Sequence, residues 1–343
     1  MILSAPFPFF GGKSRAAHLV WPRFGDVPNY VEPFAGSLAV LLRRPPWPES
    51  ERRTETINDL DGTVTNFWRA TQRDPEAVAA AADNPVHELD LNARHIACNE
   101  RLTDETGIDP DNLERAKARG ILPFSAKLEQ DPDFYDATLA GWWAWGLSSW
   151  IGDSWCRPKW DRRPHLGDAG KGVNRKRPHL GNAGKGVNRQ VPYLGDAGMG
   201  ECERRRDFLV SWFEALRDRL RDVRICCGDF ERVLGPGAAW GRCAILLDPP
   251  YAESTGVERV YAHHGNDASR RTREWAIANG GNTKLRICLC GYEGEHTMPE
   301  TWECVHWEAR GGYGNGRRDK SNQNKERERL WFSPGCRKSH CLY

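Results

Sequence analysis

Short apolar or β-branched runs bounded by turn residues recur along this chain: Tyr30-Val31, Thr54 to Ile57, Val223 to Cys227, Ala244 to Leu247, Leu285 to Cys290 and Glu303 to Trp307. Helical patterns lie between them, notably Gly62 to Gln72 and Glu203 to Leu220, the latter with Phe208, Trp212, Ala215, Leu216 and Leu220 on one face. Strands alternating with helices predict a mostly parallel, doubly wound α/β sheet, because each parallel connection is a crossover whose helix covers a face of the sheet. Ligands of such sheets collect at the carboxyl ends of the strands.

A length of 343 residues suits two domains, or one large domain carrying an insertion. The alternation breaks between about residues 76 and 160, which read as helices: Glu76 to Ala82, Leu89 to Leu102, Asn112 to Arg119 and Asp133 to Trp150. Three copies of a 14-residue repeat follow, RPHLGDAGKGVNRK, RPHLGNAGKGVNRQ and VPYLGDAGMGECER, with Pro164, Pro178 and Pro192 in register. The repeat is too Gly-rich and too short per unit to bury a core. It suits either a flexible linker or a basic loop following a nucleic-acid backbone, with Lys171, Arg175, Lys185 and Arg189 as the candidate phosphate contacts. From Arg157 to Arg206 thirteen Lys or Arg face five Asp or Glu, so a polyanion would be met there although the whole chain carries only +2.

No basic region followed by a long apolar stretch opens the chain, and no segment approaches eighteen continuous apolar residues. The expectation is a soluble, unexported, cytoplasmic protein without a membrane partner. Eleven cysteines with no Cys-x-x-Cys pair indicate no metal site. Cys226, Cys227, Cys243, Cys288 and Cys290 lie in strand-like runs and are expected as free, buried thiols.

The stretch CAILLDPPYAES, Cys243 to Ser254, concentrates the chemistry. Pro249 and Pro250 fix φ and donate no hydrogen bond, so the strand end offers bare carbonyls in a preset direction. With the Asp248 carboxylate they form an acceptor-only floor suited to an amine, and Tyr251 offers a face to a planar ring. A planar ring with an exocyclic amine describes adenine or cytosine. Acceptors gripping both amine hydrogens favour a nitrogen whose lone pair can point at an electrophile. The bland alternative is a rigid turn.

Further motifs arrive in order. PFPFFGGKSRAA opens the chain with a Gly-Gly-Lys turn ahead of a helix. NYVEPFAGSLAVLL reads as a strand, an acidic residue, a tight turn through Gly36 and then a helix. TETINDLDG places Asn58-Asp59 after a second strand, where a carboxylate can accept from ribose hydroxyls, and RICCGDFERVL ends a third on Asp229-Phe230. Lys13 taken alone could be a surface lysine, and Glu32 could merely cap a helix.

The ordered set Gly-Gly-Lys, Glu-Pro-Phe-x-Gly, Asn-Asp, Gly-Asp-Phe and Asp-Pro-Pro-Tyr resembles the Dam-like DNA adenine-N6 methyltransferases, particularly their phage forms, over roughly residues 5 to 75 and 205 to 335. The resemblance implies a Rossmann-like, S-adenosylmethionine-dependent methyltransferase fold acting on the N6 amine of an adenine flipped out of double-stranded DNA. It implies cofactor contacts at Phe9, Gly12, Lys13, Glu32, Phe34, Gly36, Asp59, Asp229, Phe230 and Asp248, and a catalytic pocket of Asp248, Pro249, Pro250 and Tyr251. Residues 1–75 and 205–343 would form the catalytic domain and 76–204 an inserted target-recognition region. A monomer or weak dimer is expected, and whether a restriction endonuclease partners it is left open. Phe9 stands where the family often has Trp, and Leu38 where it often has a second Gly, a side chain expected to narrow the approach of the methionine moiety. An N4-cytosine, RNA or protein-amide methyltransferase remains an alternative, as does a catalytically silent DNA-binding protein on the same scaffold. GWWAWGLSSWIGDSWC reads as packed helix and turn rather than a stacking platform, and the polar stretch from Gly311 precedes a final strand, Leu330 to Ser333.

Overall fold

The computed structural model describes residues 3–7, 9, 13–46, 52–85, 88–149, 155–157, 202–235, 241–251, 265–307 and 327–338. In chain order the elements are α1 (Ala17–Phe24), β1 (Asn29–Glu32), β2 (Thr54–Asp59), α2 (Gly62–Arg73), α3 (Pro75–Ala82), α4 (Glu88–Thr103), α5 (Pro110–Ala118), α6 (Pro123–Gln130), α7 (Ala137–Ser149), α8 (Cys202–Leu220), β3 (Val223–Cys227), β4 (Cys243–Leu247), α9 (Gly265–Asn279), β5 (Leu285–Tyr292), β6 (Glu303–His306) and β7 (Glu328–Phe332). Two compact units result: a sheet unit, chiefly 10–60 and 222–343, and a helical unit, chiefly 3–9 and 61–221. The helical unit therefore takes in α2 and α8 beside the helices between them.

The sheet unit holds seven strands in the order β3-β2-β1-β4-β5-β7-β6. From β3 to β5 every pairing is parallel, and β7 runs antiparallel to both β5 and β6. This is the mixed α/β, mostly parallel sheet that the alternating runs predict. All residues of β4 and β5 are buried, as expected of strands covered on both faces. Cys243, Ile245 and Leu247 of β4 and Leu285, Ile287 and Leu289 of β5 join Ala276 of α9 in one core layer. On the opposite face Arg286 of β5 donates to the carbonyl of Phe24 in α1.

Two local expectations change. The turn after β1 leads not into an α-helix but into a short 3-10 turn, Leu41–Arg43. Its entry passes through Gly36 at φ +45° and Leu38 at φ +52°, left-handed values that cannot start an α-helix. Cys226 and Cys227 are half-buried, whereas Cys243, Cys288 and Cys290 are buried, and all five are free thiols.

In the helical unit Phe7 inserts between Phe67 and Trp143, ring centroids at 4.9 and 4.8 Å. Gly141 of α7 lets α3 approach closely: a Cβ there would lie 2.5 Å from that of Ala81. Trp143, Trp145 and Trp155 are buried and belong to the core, while Trp142 is half-buried. On α8, Leu209 and Phe213 join the expected Trp212, Leu216 and Leu220 in the buried face. Asp61 caps α2 by accepting from the Thr63 N–H at 2.8 Å. No helix among the described residues is long and apolar enough to cross a membrane.

Candidate active site

Parallel neighbours β2, β1 and β4 end along one edge, which brings Asp59, Glu32 and Asp248 to adjacent strand ends. The backbone there is tied by side chains. Asp59 accepts from the Gly36 N–H at 2.9 Å, and Asn58 Nδ2 donates to the carbonyls of Pro33 (3.0 Å) and Gly228 (2.8 Å). One small amide thus clamps the ends of three strands. Asn58 Oδ1 is buried with no partner among the described residues, an acceptor still to be used.

Lys13 Nζ lies 3.0 Å from Asp248 Oδ1 and over the rings of Tyr251 (5.1 Å) and Trp307 (5.6 Å). Lys13 is 4% exposed and therefore no ordinary surface lysine, while the Asp248 side chain is 22% exposed. Burial pulls the ammonium down, but the charges of Asp248 and Glu328 outweigh it and hold Lys13 above its ordinary value. Tyr251 donates its single hydroxyl hydrogen toward two carboxylates, Asp248 Oδ1 at 3.2 Å and Glu328 Oε2 at 3.1 Å. Burial, then the charges of Asp248 and Glu328, push the phenol well above its usual range, so it stays protonated.

Glu32, at the end of β1, accepts from the Tyr30 hydroxyl at 3.0 Å. Burial pushes its carboxyl up to about 8; the Tyr30 hydrogen bond opposes the rise and the charge of Asp248 adds to it. Farther along the edge, Phe34 and Phe230 stack with centroids 5.3 Å apart. Asp229 is held by Arg271 of α9 through two contacts of 3.1 Å, with the guanidinium 5.0 Å from the Phe230 ring.

Of the residues expected from the sequence, Lys13, Glu32, Gly36, Asp59, Asp248 and Tyr251 gather at these strand ends, and Asp229 joins Phe34 and Phe230. Phe9 belongs to the helical unit, with its ring 6.1 Å from Phe7. Gly12, Lys171, Arg175, Lys185 and Arg189, together with most of the repeats, fall outside the described residues. Glu328, Arg271, Tyr30 and Asn58 were not expected as site residues. Glu328 arrives by a route that no local sequence pattern marks: β7 runs antiparallel, so its first residue, not its last, reaches the carboxyl edge. The helical unit has a hollow of its own, about 510 Å³, lined by Gln72, Arg73, Arg217, Asp218 and Arg221. Three guanidiniums suit an anion, not an amine.

The edge of the sheet is thus rich in acceptors at Glu32, Asn58, Asp59, Asp229 and Asp248, with aromatic walls at Phe34, Phe230 and Tyr251. Residues 9–107 match the family model described as D12 class N6 adenine-specific DNA methyltransferase. The match agrees with the Dam-like resemblance and supports an adenine-N6 DNA methyltransferase. No curated protein matches the chain.

Proposed function

We propose that this adenine-N6 DNA methyltransferase takes its methyl group from S-adenosylmethionine and acts on an adenine flipped out of the duplex, with Asp248 as the group that receives the amine. The observation that carries this reading is the Lys13, Asp248 and Tyr251 cluster at the end of β4. The donor chemistry of the cofactor fits the edge. It bears an ammonium, a sulfonium, two ribose hydroxyls and an adenine amine, against the carboxylates of Glu32, Asp59 and Asp229 and the unused Asn58 Oδ1. Phe34 and Phe230 would hold its adenine, and Glu32 a cationic end. When bound, it supplies an electrophilic methyl group.

The chain's own residues do the rest. The two contacts of Asp248 both fall on Oδ1, which leaves Oδ2, among the described residues, to accept an amine hydrogen. The carbonyls fixed by Pro249 and Pro250 take the second hydrogen, and the nitrogen lone pair is aimed away from the ring. Tyr251 supplies a ring to stack against, returning part of the few kcal/mol that flipping a base costs. Lys13 holds the Asp248 side chain in place through its charge and short contact.

Asp248→Asn tests the assignment, since it keeps the shape and one acceptor but loses the charge. Methyl transfer to adenine is expected to fall by about 10²- to 10³-fold, the cost of removing one preorganised group, with DNA affinity nearly unchanged. Mass spectrometry of digested DNA after incubation with labelled cofactor reads both base and yield. Near-normal turnover of Asp248→Asn, or label on cytosine, would refute this reading. For DNA, we propose that the 76–204 region recognises the target and that Lys171, Arg175, Lys185 and Arg189 contact phosphates.

A further inference from the structure

Tyr251 has one hydroxyl hydrogen and two carboxylates within reach of it, Asp248 at 3.2 Å and Glu328 at 3.1 Å. A rigid, aromatic floor for a base would need only one of them. Glu328 is 4% exposed, opens β7 and pairs in register with Tyr292 of β5, whose ring lies 4.6 Å from that of Tyr251. Burying a second carboxylate beside Asp248 is costly, and Lys13 neutralises only one charge. The arrangement is economical if the second carboxylate accepts a proton.

We propose that Glu328 is a positioning residue that receives, through the Tyr251 hydroxyl, the proton an amine surrenders to Asp248 when it is methylated. The proposal rests on the methyl-transfer reading above and deepens it. The nitrogen lone pair becomes the new nitrogen–carbon bond, the carbon–sulfur bond of a sulfonium breaks with its electron pair left on sulfur, and the positive charge passes to nitrogen. One N–H bond then breaks, its pair returns to nitrogen and the proton goes to Asp248. Asp248 gives a proton to the Tyr251 oxygen as Tyr251 gives its own to Glu328. Asp248 and Tyr251 end as they began, and Glu328 is protonated.

The surroundings agree. Glu328 is faced by Lys13 from the N-terminal turn, Asp248 and Tyr251 from the end of β4, Tyr292 from β5 and Glu295 from the turn that follows. Burial raises its carboxyl above the ordinary range; Lys13 opposes and Asp248 adds to the rise. Glu328 must be ionised to receive a proton, so turnover is lost as pH falls through this raised value. The high phenol value of Tyr251 makes it a conduit rather than a store.

Glu328→Gln keeps the size and an acceptor for Tyr251 but cannot take a proton, whereas Glu328→Asp can. In Glu328→Gln, kcat is expected to fall by about ten- to a hundredfold, at or below the low end of what a positioned acid–base group contributes because Glu328 acts through Tyr251, and the acidic limb of its pH profile should vanish. KM for DNA and for cofactor should stay within about twofold, and Glu328→Asp should regain part of the rate and the limb. Independently of turnover, carbon-13-labelled tyrosine in the ligand-free protein should show a Tyr251 signal that moves with pH above the ordinary carboxylate range, and Glu328→Gln should abolish that movement. An unchanged kcat and profile in Glu328→Gln, equal losses in the Gln and Asp variants, or a Tyr251 signal indifferent to Glu328 would each overturn the relay while wild-type turnover leaves the methyl-transfer reading intact. A wild-type protein that moves no methyl to adenine would overturn both.

Discussion

At the residue scale, Glu32 shows what a buried carboxyl at a strand end does to stability. Its carboxyl sits at about 8 in the fold, against an ordinary 4.5. A carboxyl raised in this way contributes stability that is fully present below its unfolded value and is lost as pH rises through the folded one, at about 1.4 kcal/mol for each unit crossed. The unliganded protein should therefore lose stability between about pH 4.5 and 8, and Glu32→Gln, which cannot ionise, should not. The melting temperatures of the two, close at pH 5, should separate in favour of the variant by pH 8.5; a gap independent of pH would mean that Glu32 is ionised throughout. Binding a cationic cofactor would expel that proton. Leu38 illustrates the opposite case, a residue whose identity concealed its conformation. It holds φ +52° where glycine is the natural occupant, and its side chain is fully buried. Left-handed backbone costs about 1–2 kcal/mol per residue, and burying leucine returns about 2–3 kcal/mol, so packing outweighs strain. The composition of the stretch suggests helix; the turn becomes apparent only once the side chain is seen in the core.

At the element scale, a buried ion pair ties the connection after β1 to β2. Arg44 Nη1 lies 2.9 Å from Glu55 Oε1, the side chains are 3% and 4% exposed, and Arg44 also donates to the carbonyl of Val27. Arg44→Met would deprive Glu55 of its closest cation, with Arg53 at 3.8 Å a poor replacement. Urea unfolding should show a loss of about 3–5 kcal/mol for the single variant, and Arg44→Met/Glu55→Met should regain most of it, because two apolar side chains leave no charge buried. A double variant as unstable as the sum of the singles would show that the pair does not hold the join. The same elements define how far the sequence could be read. The strands were legible because they are short, apolar and bounded by turns, and the parallel core of the sheet follows from the helices between them. The acidic groups of the site were legible for the same reason, since parallel strands deliver their last residues to one edge. What escaped were partners that reach the edge another way: Glu328 through an antiparallel strand, Arg271 from the flank of α9, and Asn58 through an amide whose nitrogen clamps backbone. No local pattern marks a residue whose role depends on long-range pairing.

At the scale of the whole molecule, the proposed chemistry and the proposed DNA contacts draw on different parts of the sequence. The acceptor-rich strand ends belong to the sheet unit, whose charged site groups carry more carboxylate than cation and so do little to hold a polyanion. On the proposed reading DNA is held by basic surface, and the stretch Arg157 to Arg206 has an excess of eight positive charges. Its repeats present Lys171, Arg175, Lys185 and Arg189 at matching positions. If each neutralises one phosphate, each releases counterions worth about −0.9 in the slope of log affinity against log salt. Deleting Pro164 to Gly200 should weaken DNA binding and make that slope shallower by about 3 to 4, while cofactor affinity at the sheet edge is unchanged. Fluorescence anisotropy with a labelled duplex across a salt series measures the slope directly. A linker would show no such dependence, since a spacer that touches no phosphate changes effective concentration without releasing ions. An unchanged slope after deletion would therefore assign the repeats to spacing and return the phosphate contacts to other surfaces, such as the arginines Arg73, Arg217 and Arg221 that line the hollow of the helical unit.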